Sequence, residues 1–303
     1  MIIDAHMHVI DSRNFDRETY ERLGMRVPGD TNLDDLVGWL KDAGVSKAVC
    51  MGQDMSRVWR TTFGEERVIQ AINEYPDFFI GLASVEPLDA ANRLNHAALA
   101  YAEKALTELG MRGILFTPPY GQYYSNDKTI YPFYELAQSL GAVVQFHHSA
   151  QIGPAILCPT KYADLYRLND VIVDFPNLKI VVEHIGYPWS EHLFILMANH
   201  PHLYTDLAMM YDRPYKTVWS LVLAKEYGVI DRVMYASDFV ARNYDFVSDD
   251  PASDFKRWIS FIQKGINEIC RRCGWPAFTD EEIDGILGGN AARLYGVERA
   301  PSL

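Results

Sequence analysis

The sequence predicts an α/β protein, a (β/α)8 TIM barrel, and three observations lead to that prediction. Short apolar runs rich in β-branched residues alternate with helical patterns along the 303 residues. The runs are nearly continuous in hydrophobicity, as expected of strands that are buried on both faces. They start about 25 to 45 residues apart, which is the size of one βα unit. The eight predicted strands are 2–8, 47–52, 79–85, 111–117, 142–147, 179–185, 203–208 and 233–238.

Helical patterns follow these strands. The clearest spans 90–109, where Leu94, Ala98 and Tyr101 recur at spacings of three and four residues. Eight strands that alternate with eight helices over this length are typical of the barrel. An open, doubly wound sheet is the alternative, but it usually carries a glycine-rich turn after its first strand, and residues 9–12 contain no glycine. The predicted helices are 33–43, 66–75, 90–109, 132–140, 163–173, 191–200, 215–227 and 254–270.

We expect residues 1–303 to form one barrel domain. The chain shows no internal repeat beyond the βα unit, no low-complexity tract and no convincing linker. Two polar segments fall outside the repeat, near residues 11–32 and 121–129. In a barrel, both would lie at the C-terminal rim, where active sites are built.

The last part of the chain carries a helix-start signal. Thr279, followed three residues later by Glu282, is a capping box. The pair Gly288-Gly289 predicts where this helix stops, since glycine is favoured just past a helix end. We therefore expect a short C-terminal helical tail within 279–296.

Composition and charge restrict the partners. The chain is 49% hydrophobic with a net charge of −12, which disfavours nucleic acid and anionic membranes, since both select clustered Lys and Arg. A small-molecule substrate, with a carboxylate held by a few arginines, stays compatible, as does a homodimer or higher homo-oligomer. No apolar run approaches the ~18 residues of a membrane span, and the N-terminus does not resemble a signal peptide. The four cysteines form no disulfide framework, so we expect a cytoplasmic protein.

The first predicted strand ends in His6-Met7-His8. Residues two apart in a strand project to the same face, so two imidazoles there can bind one metal ion. A His-x-His pair alone is weak evidence, and ordinary surface or core histidines are the alternative interpretation.

Ionisable residues also end three other predicted strands: His147 ends the fifth, His184 the sixth and Asp238 the eighth. Such a group is costly to bury at the end of an apolar strand unless it is paired or bound to a metal. Because the carboxyl ends of barrel strands meet at one mouth, these residues and the histidine pair predict a metal site there. His148 follows His147 directly, and we favour His147 for the site because it ends the apolar run. For His148 we expect a hydrogen-bonding role in the core or behind the site.

In these residues the sequence resembles the amidohydrolase-related family. This is the branch of the amidohydrolase superfamily that includes aminocarboxymuconate-semialdehyde decarboxylase and the resorcylate decarboxylases. The resemblance covers nearly the whole chain. It rests on His6-x-His8, His147, Glu183-His184-Ile185-Gly186, Ser237-Asp238 and the closing segment from Gly289 to Gly296.

The resemblance implies that His6, His8, His147 and Asp238 bind one divalent ion, most commonly zinc, with manganese or iron as alternatives. It also implies catalytic roles for His184, as an acid–base residue beside the metal, and for Asp238, as a proton acceptor. Some superfamily members bridge two metals with a carboxylated lysine at the end of the fourth strand. Residues 113–117 contain no lysine, so a mononuclear site is expected.

Two reactions fit this ligand set. The first is hydrolysis of an amide, ester or lactone of a small, cyclic or aromatic carboxylate, with water activated by the metal. The alternative is non-oxidative decarboxylation of an aromatic or muconate-like acid, since the family contains both activities. We favour hydrolysis on the broad character of the family rather than on any residue.

Five residues near the predicted rim are candidate substrate contacts. Arg57, Arg60 and Arg242 follow the second and eighth strands, from which each can bind a carboxylate in a bidentate manner. Tyr124 and Trp189 can form aromatic walls for a flat or apolar substrate. Solvated rim arginines and ordinary loop packing are the alternative interpretations.

Two interpretations outside metal catalysis stay open. A metal-free lactonase would use His and Arg side chains without an ion, and a non-catalytic descendant would bind a ligand or partner at the barrel rim. The full set of ionisable residues at the strand ends disfavours both, since a non-catalytic descendant would be free to lose it. The metal content, and the turnover of a His184→Asn variant, discriminate between these interpretations and the metal-dependent enzyme.

Overall fold

The computed structural model describes residues 1–149, 154–244 and 247–298. Its main sheet has eight parallel strands, each hydrogen-bonded to the next along the chain. The segment that follows the last strand is bonded to the first strand by two backbone hydrogen bonds of 3.0 Å, from Ala5 N to Tyr235 O and from Asp238 N to His6 O. The sheet therefore curls into a barrel, and the predicted fold class is confirmed.

The strands are short, and two of them lie outside the barrel. In chain order they are β1 (Ile2–His8), β2 (Val45–Met51), β3 (Gln53–Met55), β4 (Thr61–Phe63), β5 (Phe79–Ser84), β6 (Gly113–Phe116), β7 (Val143–Phe146), β8 (Lys179–Val182), β9 (Leu203–Asp206) and β10 (Val233–Met234). β3 and β4 pair as an antiparallel hairpin. That hairpin was not predicted, because three-residue strands are too short to give a periodic pattern.

Helices cover the outside of the barrel. The α-helices are Arg17–Arg22, Leu33–Asp42, Ser56–Trp59, Glu65–Glu74, His96–Thr107, Pro118–Gly121, Tyr131–Leu140, Leu165–Asp174, Ser190–Asn199, Pro214–Glu226, Pro251–Ser260, Ile266–Cys273, Asp280–Asp284 and Asn290–Tyr295. The π-helical turns Phe261–Gly265 and Gly285–Gly289 each join two of them into one longer helix. Among the helices described, none has the length and apolar character needed to cross a membrane.

Strand side chains are divided between two apolar layers. Ile3, Val49, Leu82 and Val181 belong to a cluster in the barrel interior, which the last helix closes with residues such as Leu294. Neighbouring strand positions pack instead against the helices outside. This burial on both faces explains why the strands read as continuous apolar runs in the sequence.

The helix predicted over 90–109 begins later, at His96. A turn precedes it, because Asp89 Oδ1 accepts hydrogen bonds of 2.8 and 2.9 Å from two backbone amides that follow it. Asn95 then caps the helix through its side-chain oxygen. Side chains that bond to nearby backbone compete with the helix in this way.

The helical tail does not stop at Gly288-Gly289, so that prediction was wrong. The helix continues through the π-helical turn to Tyr295 and ends at Gly296, whose φ of +65° is left-handed. At Gly288 the glycine serves close packing instead, since a Cβ there would lie 2.4 Å from the carbonyl oxygen of Met1. Absence of a side chain therefore allows the tail to cross the start of β1.

Gly288→Ala is expected to destabilise the fold by about 1–3 kcal/mol, because the added Cβ meets backbone atoms of β1 rather than a flexible side chain. The matched control is Gly38→Ala, in a helix where nothing lies within 4 Å of the added atom. The control should be neutral or stabilising by up to about 1 kcal/mol, since alanine favours helix. Chemical denaturation measures both variants. Equal free energies of unfolding would contradict the close-packing explanation.

Candidate metal centre

A β-bulge in β1 orients the side chains of His6 and His8. The pairing register between β1 and β2 shifts by one residue between Asp4 and Met7. Asp4 Oδ1 accepts hydrogen bonds from His6 N at 3.3 Å and from Ser237 N at 2.9 Å. One carboxylate thus ties the bulge to the segment after β10. Bulges next to active sites commonly re-aim a side chain in this way.

His6, His8 and Asp238 form a compact group, which we call the first triad. The Nε2 atoms of the two histidines lie 3.3 Å apart, and Asp238 Oδ1 lies 3.6 Å from His6 Nε2 and 3.7 Å from His8 Nε2. A point about 2 Å from all three atoms lies between them, and this is the length of a zinc–nitrogen or zinc–oxygen bond. The three buried side chains therefore fit a divalent ion.

The backbone, as well as the side chain, fixes Asp238. Its φ of +53° is rare for a residue other than glycine, and its amide donates a hydrogen bond to His6 O. Burial raises the pKa of its carboxyl group to about 6, although nearby His184 and His6 act to lower it. Strained backbone of this kind is concentrated at functional sites.

A second group is centred on Glu183, to which sequence analysis gave no role. Its Oε2 lies 2.9 Å from His147 Nδ1 and 3.4 Å from His184 Nε2, and these two ring nitrogens are 3.1 Å apart. We call Glu183, His147 and His184 the second triad. The other carboxylate oxygen, Oε1, accepts a hydrogen bond from Gln145 at 2.9 Å and lies 3.8 Å from His6 Nε2. Burial acts to raise the pKa of Glu183, but the surrounding imidazoles hold it well below its usual range.

His184 turns one ring nitrogen into the second triad. It follows β8 in a left-handed conformation, with φ of +57°. Its Nδ1 lies 3.1 Å from Ala208 O, and because a carbonyl only accepts, Nδ1 carries the proton. Nε2 therefore faces Glu183 and His147, and its hydrogen bond with the Glu183 carboxylate acts to raise the pKa of His184 against the effect of burial.

Asp206, the last residue of β9, braces both triads. Its Oδ2 lies 3.2 Å from His6 Nδ1, and its Oδ1 accepts hydrogen bonds of 2.8 and 3.1 Å from two backbone amides, one of them that of His184. A carboxylate that receives the outer ring N–H of a metal-binding histidine fixes its tautomer and orientation. Glu183 and Asp206 each close an apolar strand, so the signal that selected Asp238 could have found them too.

The structure brings His147, not His148, into the centre. Its Nδ1 belongs to the second triad, its Nε2 lies 3.4 Å from Ser149 Oγ, and its ring packs against Tyr120. The role of His147 as a ligand of the same ion as the first triad therefore stays a prediction. His148 instead packs edge-on against Phe146 with ring centroids 5.3 Å apart, and burial lowers its pKa to about 3.

A cavity of about 310 Å³ opens onto members of both triads. The loop near 11–32 contributes to its walls, as expected of a rim loop in a barrel. Among the residues described, no lysine or arginine lines this cavity. Outside the triads, the lining residues are Phe15, Tyr20, Met25, Pro28, Gln53, Met55, Leu115, Thr117, Tyr120, Leu157, Met209, Asp212, Val240 and Tyr244.

The three arginines proposed as substrate contacts lie outside the cavity wall. Arg57 pairs with buried Glu86 at 3.1 Å, and Arg60 pairs with Asp16. Arg242 donates a hydrogen bond of 2.9 Å to a backbone carbonyl. Each of the three is bonded to another group of the rim, and the sequence spacing does not reveal these partners.

The two proposed aromatic contacts also lie outside the cavity wall. The ring of Tyr124 contacts that of Tyr162, with centroids 5.0 Å apart, and Arg167 lies over it. The side chain of Trp189 is 38% exposed. Aromatic walls are nevertheless present, and other tyrosines and Phe15 supply them.

The amidohydrolase family model matches residues 3–297 of this chain. The match spans nearly the whole sequence, so the chain belongs to the amidohydrolase family, as the resemblance implied. No curated protein sequence matches the chain significantly.

Solved structures share the fold at low sequence identity. An uncharacterised TIM-barrel protein from Bordetella bronchiseptica is 21% identical, with a TM-score of 0.71 over 97% of this chain and 98% of the other. A probable 2-pyrone-4,6-dicarboxylic acid hydrolase from Acinetobacter baumannii, with citric acid bound, is 17% identical, with a TM-score of 0.66 over 97% and 99%. A dihydroxybenzoic acid decarboxylase from a Polaromonas species, with manganese and the inhibitor 2-nitroresorcinol, is 16% identical, with a TM-score of 0.64 over 99% and 98%. These similarities extend to the barrel fold and leave the reaction open.

Asp206→Asn is expected to weaken divalent-ion binding about 10- to 100-fold, because the His6 ring loses its charged partner. Competition with a chromophoric chelator measures the affinity. Asp212→Asn is the matched control, since that carboxylate pairs with Arg213 at the cavity wall. Wild-type affinity in the Asp206 variant would contradict the bracing role.

Proposed function

We propose that this protein is a metal-dependent hydrolase that cleaves an ester, lactone or amide of a small cyclic or aromatic compound. The observation that carries the proposal is the first triad, whose three donor atoms lie 3.3 to 3.7 Å apart beside the cavity. Two imidazoles and a carboxylate suit zinc, with manganese or iron as alternatives. When bound, the ion would act as a Lewis acid that polarises a substrate carbonyl.

The chain itself would supply orientation and proton transfer. Asp238 directs Oδ1 towards His6 and His8, while its Oδ2 lies 3.8 Å from His184 Nδ1. This division supports a role for Oδ2 as the base that takes a proton from an attacking water. Asp206 would hold the His6 ring during the reaction.

The cavity walls support a substrate that carries no carboxylate. No arginine or lysine of the described chain lines the cavity, and Asp212 at its wall pairs with Arg213. A carboxylate placed against Phe15, Leu157 or Val240 would lose its hydration without gaining a partner. We therefore infer a neutral, flat substrate whose reacting group faces the first triad.

Decarboxylation of an aromatic acid is the second candidate, and the aromatic walls favour it. Phe15, Tyr20, Tyr120 and Tyr244 line the space in which a planar ring would stack. A single carboxylate on that ring would face the ion, because the ion would supply the positive charge that the cavity walls lack. One structural neighbour is described as a hydrolase and another as a decarboxylase, so the fold is compatible with either reaction.

A panel of aromatic esters, lactones and amides, together with aromatic carboxylates, tests the reaction on metal-quantified protein. We expect acid release without CO₂ release. A pH-stat measures the acid, and CO₂ is measured in parallel. Asp238→Asn should lower kcat by at least about 100-fold, because it removes a donor atom and the proposed base. CO₂ release without acid release would select the decarboxylase instead. Undiminished turnover after complete metal removal would favour the metal-free lactonase.

Neutral substrates should show a kcat/KM at least about tenfold higher than analogues with an added carboxylate, because no lysine or arginine among the described lining residues compensates that charge. Val240→Arg introduces a guanidinium at the wall and should reduce or reverse the preference. Val240→Leu, which changes size without charge, is the matched control. A wild-type preference for the carboxylated analogues would contradict the inferred substrate class.

A further inference from the structure

We propose that a second cavity, behind Asp238, binds a neutral, planar aromatic molecule, and that its occupancy strengthens binding of the divalent ion at the first triad. This cavity, which we call the back cavity, has a volume of about 280 Å³, and Ser237, Phe239, Phe255 and Trp258 are among its walls. The cavity of about 310 Å³ beside the first triad is the substrate cavity. The coupling to the ion rests on the proposed function, whereas binding at the back cavity does not.

Aromatic rings dominate the back cavity. Trp258 and Phe261 stack with their centroids 5.5 Å apart, and the centroids of Phe239 and Phe255 are 5.7 Å apart. Rings arranged in this way present faces and edges against which a further ring can pack. An apolar cavity of about 150 Å³ is enough to bind benzene, so the back cavity has room for two fused rings. The five aromatic residues that line it are Tyr211, Phe239, Phe255, Trp258 and Phe261.

The charged groups at the back cavity already have partners. Asp254 and Arg257 are the two charged residues among the described lining residues, and they pair with each other. Asp254 Oδ2 also accepts hydrogen bonds of 2.8 and 2.7 Å from the backbone amide and the hydroxyl of Ser248. A charged ligand would therefore lose its hydration without gaining a partner. The walls favour a neutral molecule.

The back cavity and the substrate cavity share two segments of chain. After β10, Ser237 and Phe239 line the back cavity, whereas Asp238 and Val240 line the substrate cavity. The segment after β9 divides in the same way, with Met209 and Asp212 at the substrate cavity and Tyr211 and Pro214 at the back cavity. A molecule in the back cavity would therefore pack against the same stretch of backbone that carries Asp238.

The segment after β10 is also bonded to the histidines of the first triad. His8 N donates a hydrogen bond of 2.7 Å to Phe239 O, and Asp238 N donates one of 3.0 Å to His6 O. Packing of a ligand against Ser237 and Phe239 would favour the left-handed backbone of Asp238, whose φ is +53°. In this conformation Oδ1 faces the two histidines. A ligand and an ion that favour the same conformation strengthen each other's binding.

Indole, a neutral molecule of two fused rings, is the probe for the site. Isothermal titration calorimetry should detect its binding to metal-free wild-type protein. Val247→Phe places a ring inside the back cavity and should weaken this binding at least about tenfold. Val240→Phe is the matched control, because the same change falls at the wall of the substrate cavity, and it should leave the affinity of the back cavity unchanged.

The coupling is measured from both sides. Saturating indole should strengthen divalent-ion binding at least about fivefold, and the ion should strengthen indole binding by the same factor, since linkage is reciprocal. Competition with a chromophoric chelator measures the ion, and calorimetry of Mn²⁺-loaded and metal-free protein measures the indole. Indole should have no effect on ion affinity in Val247→Phe.

The outcomes separate this site from the proposed function. Indole binding that is lost in Val240→Phe but kept in Val247→Phe would place the probe in the substrate cavity and overturn the proposal, as would no binding to wild-type protein. Equal indole affinity with and without Mn²⁺ would overturn the coupling. Failure of the protein to bind any divalent ion would overturn the coupling and the proposed function together, while indole binding at the back cavity would still stand.

A structural measurement replaces Val247→Phe if that variant does not fold. A crystal structure of wild-type protein with indole should show the probe in the back cavity, in contact with the rings of Phe239 and Trp258. Indole found only in the substrate cavity, or nowhere, would overturn the proposal.

Discussion

The burial of carboxylates among histidines at the barrel mouth is the constraint on which the rest of the centre depends. His6 alone lies 3.2 Å from Asp206, 3.6 Å from Asp238 and 3.8 Å from Glu183. Removing such groups from water costs several kcal/mol each unless positive charge compensates them. Burial by itself would lower the pKa of His6, yet these carboxylates raise it to about 10. The same field that favours a proton on His6 would favour a metal cation beside it.

The backbone is irregular where these side chains are held. β1 carries a bulge, and His184, Ile185 and Asp238 adopt left-handed φ values of +57°, +51° and +53°. Such conformations cost about 1–3 kcal/mol each and persist only where the surroundings determine them. Asp4 accepts hydrogen bonds from the backbone amides of His6 in the bulge and of Ser237 next to Asp238, and Asp206 accepts one from that of His184. The regular part of the barrel thus supplies the stability that its irregular mouth requires.

Much of the fold was predictable because strands buried on both faces leave a simple apolar signal. The positions of His6, His8 and Asp238 at one mouth followed from strand period and parallel topology, although the bulge that aims the histidines did not. Glu183 and Asp206 were missed because the predicted strands, 179–185 and 203–208, extend past them, whereas the observed strands end at Val182 and Asp206. The local partners of the rim arginines were not predictable, since groups such as Glu86, which pairs with Arg57, come from distant segments.

The centre and the cavity wall are built from different parts of the chain, and this separates chemistry from specificity. The donors stand on or directly after strands, where the barrel fixes their positions. The wall comes largely from rim segments such as the loop near 11–32, whose residues can change without disturbing the donors. Family membership therefore constrains the centre far more than the substrate. The described residues that line the cavity include no lysine or arginine. This is a property of the wall and not of the barrel that the family shares, so it restricts the substrate where the fold does not.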